Sequence, residues 1–250
     1  RSVSFVPGWN TVDDNDDTSD FLGHGTHVAG TIAQTTDNGI GVAGMAHGVT
    51  IMPVRVIGVS QTPQMIADGV NWAVTNGADI INMSIGDPEA GTPDGWDAVH
   101  SAIQTAVDAG VTVVAASGNN AADADSSDDT VRYPAAFEEV IAVGAVDATN
   151  NRAVYSNFGT ALDIVAPGGF IPGDAVPGDT PLAVLQQTSL PFGFPHASES
   201  GFGYLAGTSQ AAPHVTALAA LLKSRAPELT PAEIREAILS TAVDLGDPGW

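Results

Sequence analysis

The chain has 250 residues, 44% of them hydrophobic, which is enough for the core of one large α/β domain. Seven Lys and Arg stand against 29 Asp and Glu, a formal charge of −22 that argues against nucleic acid or an anionic membrane as a partner. The absence of cysteine removes thiol catalysis, disulfides and Cys-zinc sites, and apolar runs such as Val215 to Leu222 are far too short to span a bilayer.

In chain order, Asp13-Asp14-Asn15-Asp16-Asp17 reads as a solvated acidic loop, with calcium binding as the other reading. A helix is predicted from His24 to about Gln34. Apolar β-rich runs then alternate with helical patterns. Val49–Ile57 precedes a helix at Gln64–Thr75, and Ala78–Ile85 precedes one at Trp96–Ala109, after which comes Val111–Ala116. This is the pattern of parallel βαβ units whose sheet is covered on both faces. A second acidic run, 123–129, is also read as solvated, and further strands are expected at Val140–Val146 and Ala161–Val165. Gly168 to Ser200 is rich in Gly and Pro and reads as a long loop at the rim of a cleft. Helices are predicted at Thr208–Arg225 and Pro231–Ala242, the second opened by Thr230-Pro231-Ala232-Glu233 as cap, N1 proline and capping-box glutamate.

Four segments bear on chemistry. Gly207-Thr208-Ser209-Gln210-Ala211-Ala212-Pro213-His214 puts a serine among small residues at a helix start, where unpaired N–H groups favour developing negative charge. Read alone, Thr208-Ser209 is an ordinary helix cap, and a nucleophile also needs a base and an oxyanion site. Gly23-His24-Gly25-Thr26-His27 offers the base, since an imidazole takes and returns a proton near neutral pH. Its histidines are three apart with no glutamate between them, which does not fit the His-Glu-x-x-His zinc pattern. Val111–Ala116 runs into Ser117-Gly118-Asn119-Asn120, which sets the Asn119 carboxamide beyond the C-terminal edge of a strand, as an oxyanion donor or as a turn residue. Asn82-Met83-Ser84-Ile85-Gly86 ends another strand, whose backbone could pair with an extended peptide.

Together these segments resemble the subtilases, the subtilisin-like serine endopeptidases, from roughly Phe21 to Thr241. The resemblance implies a doubly wound, mostly parallel α/β fold and peptide bonds as substrate. His24 matches the base of His-Gly-Thr-His-Val-Ala-Gly, Ser209 the nucleophile of Gly-Thr-Ser-x-Ala-x-Pro-His, and Asn119 the oxyanion asparagine. Ser84 and Gly86 match the family's substrate-backbone strand, and Ala115 to Gly118 a wall of its side-chain pocket. It also implies secretion and no catalytic cofactor. The segment Thr36-Asp37-Asn38-Gly39-Ile40-Gly41-Val42 resembles a structural calcium loop with oxygens from Asn38, Ile40 and Val42, the other reading being a plain Asp-Asn-Gly turn.

Two departures stand out. Gln210 follows the nucleophile where the family usually has Met. The triad aspartate should close an apolar strand some thirty or more residues before the histidine, and only 23 residues precede His24, none reading as such a strand. Asp20 is assigned a structural or substrate-side role. The expectation is one catalytic domain, incomplete at both ends, with a missing N-terminal segment or a propeptide as partner and poor folding when alone. The competing reading is a noncatalytic peptide-binding or structural domain that keeps the cleft without the triad. A nucleotide-binding doubly wound protein fits less well, because no Gly-rich phosphate loop follows a strand.

Overall fold

The computed structural model describes residues 3–58, 62–86, 95–121, 130–170, 182–190 and 199–246. Two-residue strands β1 (Ser4–Phe5) and β2 (Trp9–Asn10) precede helix α1 (His24–Ala33), followed by β3 (Thr50–Ile51) and β4 (Val54–Arg55). Then come α2 (Pro63–Thr75), β5 (Ile80–Met83), α3 (Asp97–Asp108), β6 (Thr112–Ala116), β7 (Ile141–Val146) and β8 (Ile164–Pro167). A hairpin of β9 (Val184–Leu190) and β10 (Glu199–Leu205) leads into α4 (Thr208–Arg225), and α5 (Pro231–Thr241) follows. Local sequence sets the helix starts. Thr62 caps α2 by accepting from the Met65 N–H, with Pro63 at N1, and Thr230 and Glu233 form a reciprocal capping box on α5.

Strands β5, β6, β7 and β8 form one parallel sheet in that order, and its central strands β6 and β7 are buried on both faces. The two-residue period of β6 divides its side chains between two cores. Val113 and Ala115 pack with Ile66 and Val70 of α2 and with Val99 and Ile103 of α3. Val114 and Ala116 face the other way, onto Ala211, Ala212 and Val215 of α4 and Ile234 and Ile238 of α5. Full burial of one such chain as Ile103 contributes about 1.5–3 kcal/mol. The fold is therefore α/β with helices on both faces of a parallel sheet.

The structure departs from the sequence reading in two places. The segment 49–57 forms two short strands, pairing in parallel with β1 and β2 as separate ladders, β1–β3 and β2–β4. Part of the stretch read as a long loop is the antiparallel hairpin, in which Val184 pairs with Leu205 and Leu190 with Glu199. The acidic run 123–129 lies outside the described residues.

Among the described residues no ladder joins β4 to β5. Between them lies a cavity of about 2120 Å³, lined by Val28 and Ile32 of α1, Val54, Val70, Ile81 and Ala220. His24, Asp20 and Ser84 also line it.

Candidate active site

Parallel, in-register strands bring distant segments to one edge. Ile80 pairs with Thr112 and Met83 with Ala115, so that Ser84 and Ser117-Gly118-Asn119 emerge side by side. The N-terminus of α4 packs on this edge. Gly207 enters it at φ 155°, a backbone state that favours glycine, with its N–H bonded to the Gly168 carbonyl at 3.0 Å.

The carboxamide of Asn119 is fixed by Thr208. Its Oδ1 accepts from the Thr208 N–H at 2.8 Å and from the Thr208 hydroxyl at 2.9 Å, while the Gly118 N–H donates to Thr208 Oγ1 at 3.2 Å. With Oδ1 so engaged, the Nδ2 of this exposed residue is left as a donor at the mouth of the site. Behind it, buried Asn157 holds the loop by donating its N–H to Gly118 O at 3.0 Å and accepting the Asn120 N–H at 2.7 Å. The Ser209 N–H lies in the first turn of α4, where no helical carbonyl reaches it.

Pro213 explains the contact between Ser84 and Ser209. A proline inside α4 has no N–H for the carbonyl four residues earlier, which is that of Ser209. The Ser84 hydroxyl fills the place, donating to Ser209 O at 2.8 Å, and Ser209 Oγ donates to Ser84 O at 3.3 Å. Gly118 has φ 113°, and its N–H and carbonyl are both bonded within the protein. A Cβ at Gly86 would make only ordinary contact, 3.5 Å from Tyr133 O. Beside Ser209, Gln210 is buried, with Nε2 unpartnered.

His24 is the first residue of α1, which packs against α4. Asp20 acts as the cap of that helix: Oδ1 accepts the Leu22 and Gly23 N–H groups, and Oδ2 accepts the Thr26 N–H and hydroxyl, both at 2.7 Å. Among the described residues the His24 imidazole has no hydrogen bond, either to Ser209 or to a carboxylate. Burial pushes it below the ordinary histidine value of 6.5, partly offset by the charge of Asp20. His27 is fully buried, with Nε2 bonded to the Val184 carbonyl at 3.1 Å, and His214 bonds the Gln210 carbonyl through Nδ1 at 2.9 Å. Burial lowers both of these imidazoles as well.

The three depressed histidines give a pH dependence of known sign. Below about 6.5 the unfolded chain binds more protons than the folded one, so stability is full above that value and falls through the window down to the depressed folded values. The melting temperature should therefore drop on going from about pH 8 to about pH 5. A flat profile across that range would contradict the burial of these rings.

In the loop from Asp37 to Val42, Asn38 Oδ1 accepts the Ile40 N–H at 2.9 Å, forming a local turn. Calcium takes about six to eight oxygens. Among the described residues no group of three His, Asp or Glu side chains gathers that could hold a metal, and no helix is long and apolar enough to cross a membrane.

The chemistry open to this edge of the sheet is acyl transfer through a serine, which sets the class as serine hydrolase. Comparison with known proteins is more specific: the chain belongs to the subtilase family, whose model matches residues 1–250. It is 39% identical to subtilisin DY of Bacillus licheniformis over 249 residues, covering 98% of this chain and 77% of that one. It is 40% identical to subtilisin Savinase of Lederbergia lenta over 246 residues, with the same coverage. A solved protease structure from Pseudoalteromonas arctica matches with a TM-score of 0.82 at 33% identity, covering 96% of this chain and 78% of that one. By class the protein is a serine-type endopeptidase.

Sequence reading missed the supports of the site. Asn157, the Asn119 partnership of Thr208, and Asn82, which donates to Ser84 Oγ at 3.0 Å, carry no motif of their own. Only the three-dimensional packing reveals them.

Proposed function

We propose that the protein hydrolyses peptide bonds through an acyl-enzyme on Ser209, with His24 as general base and then general acid. The Asn119 Nδ2 and the Ser209 N–H receive the oxyanion. The substrate backbone lies along Ser84 to Gly86, with Gly118 at the side-chain pocket. The observation that carries this reading is the Asn119–Thr208 lock, which aims a donor at the N-terminus that presents Ser209. Membership of the family supports secretion and structural calcium at the loop around Asn38 as parts of the same reading.

The base needs an orienting carboxylate. Asp20 is occupied in capping α1, so we place that carboxylate on an extended strand seated between β4 and β5, where the cavity touches His24. The unpartnered His24 ring also favours a second reading, a noncatalytic peptide-binding domain. A fluorophosphonate probe separates them: stoichiometric labelling of Ser209, lost in His24→Ala, is the expected result. No labelling with the strand supplied would favour the binder.

A further inference from the structure

The base-bearing helix packs on α4 and, across its opening turns, on β9 of the hairpin. Gln186 and Thr188 are two apart in β9 and share a face, while positions 23, 27 and 30 share a face of the turn that opens α1. The two faces meet in three places. The Thr188 hydroxyl donates to the Gly23 carbonyl at 2.8 Å, the His27 ring bonds the Val184 carbonyl, and Gln186 lies flush on Gly30. A Cβ on Gly30 would come within 2.5 Å of Gln186 Cγ. Thr188 and Gln186 are both buried, so these contacts are made away from water.

The Gly23 contact bears directly on the base. The Gly23 carbonyl and the His24 N–H belong to one planar peptide unit, so fixing the carbonyl fixes the plane from which the His24 side chain departs. Gly23 sits at φ 78°, and the Asp20 carboxylate holds its N–H from the other side. Thr188 thus completes a grip on both polar groups of the residue before the base. The other strand of the hairpin, β10, ends at Leu205 and passes through Ala206 and Gly207 into the helix that carries Ser209. One hairpin therefore touches the helix of the base and is continuous with the helix of the nucleophile.

We propose that the β9–β10 hairpin is a clamp that sets His24 relative to Ser209, with Thr188 as its positioning residue. This rests on the reading of His24 as base and Ser209 as nucleophile. Small misplacement of a reacting group costs rate rather than substrate binding. Thr188→Val keeps the shape and removes the donor, while Thr188→Ser keeps the donor.

The test uses the full chain, supplied with the carboxylate strand, and follows both fluorophosphonate labelling of Ser209 and peptide hydrolysis. Thr188→Val should lower the labelling rate and kcat by about tenfold, with KM within about twofold, and Thr188→Ser should restore the rate. Gly30→Ala, which pushes the hairpin off the helix, should slow labelling in the same way and decides the matter if the valine variant folds poorly. Labelling of Thr188→Val at the unsubstituted rate overturns the clamp, as does a serine variant no better than the valine one. If the unsubstituted protein does not label at Ser209 at all, the nucleophile assignment fails and the clamp falls with it.

Discussion

Supplying an apolar peptide that closes in Asp-x-Gly to residues 1–250 is expected to raise turnover at Ser209 by up to about 3 × 10⁴, the loss that removal of the triad aspartate alone causes in a subtilisin. The physical basis is the gap between β4 and β5. It is bounded by strand edges, all of whose existing ladders are parallel, and it is lined by apolar residues from α1, α2 and α4. A strand seated there would satisfy open backbone groups of Ile80–Met83 and bury apolar surface on both faces. Its end would lie in the cavity that reaches His24. Fluorophosphonate labelling measured against peptide concentration checks this. Saturating acceleration is expected, abolished when the peptide Asp is changed to Asn. An unassisted chain that already turns over at the complemented rate would sink the idea.

Alanine at Ser209 or at His24 should then lower kcat by about 10⁶ in the complemented protein, the scale seen when nucleophile or base is removed from a subtilisin. The double variant should be no worse than either single one, because neither group works without the other. Asn119→Leu belongs to the same series with a smaller step, about 10²–10³, as only one of two oxyanion donors is lost. In the absence of the strand the ratio between unsubstituted chain and Ser209→Ala should shrink to on the order of 10². Steady-state hydrolysis of one chromogenic peptide by all these proteins gives the comparison. A His24→Ala variant of undiminished kcat would remove His24 from the mechanism.

The centre of the parallel sheet was legible because β6 and β7 are buried on both faces and so read as largely apolar runs; Val113 to Ala116 illustrates it. Helices α4 and α5 were legible from caps and apolar periodicity, with α4 bounded as expected at Thr208–Arg225. The hairpin was not. Gln186, Gln187, Thr188 and Ser189 give β9 a polar composition; Thr188 is satisfied by the Gly23 carbonyl at the start of α1 and Gln186 Oε1 by the Gln187 N–H, contacts that no local pattern encodes. The strands β1 to β4 are two residues each, too short for any period to show. At the site, chain order revealed which residue types were present, but the engagement of Asp20 as a helix cap depended on the turn from Asp20 to Thr26.

Pro213 has a consequence for how substrates are read. By leaving the Ser209 carbonyl without a helical donor, it commits the Ser84 hydroxyl to the protein itself. A peptide laid along residues 84 to 86 would thus meet main chain there rather than a free side-chain hydroxyl, and every peptide offers the same main chain. Discrimination among substrates would pass to the pocket near Gly118, and swapping the side chain at position 84 would disturb the mounting of the nucleophile more than the choice of sequence cleaved.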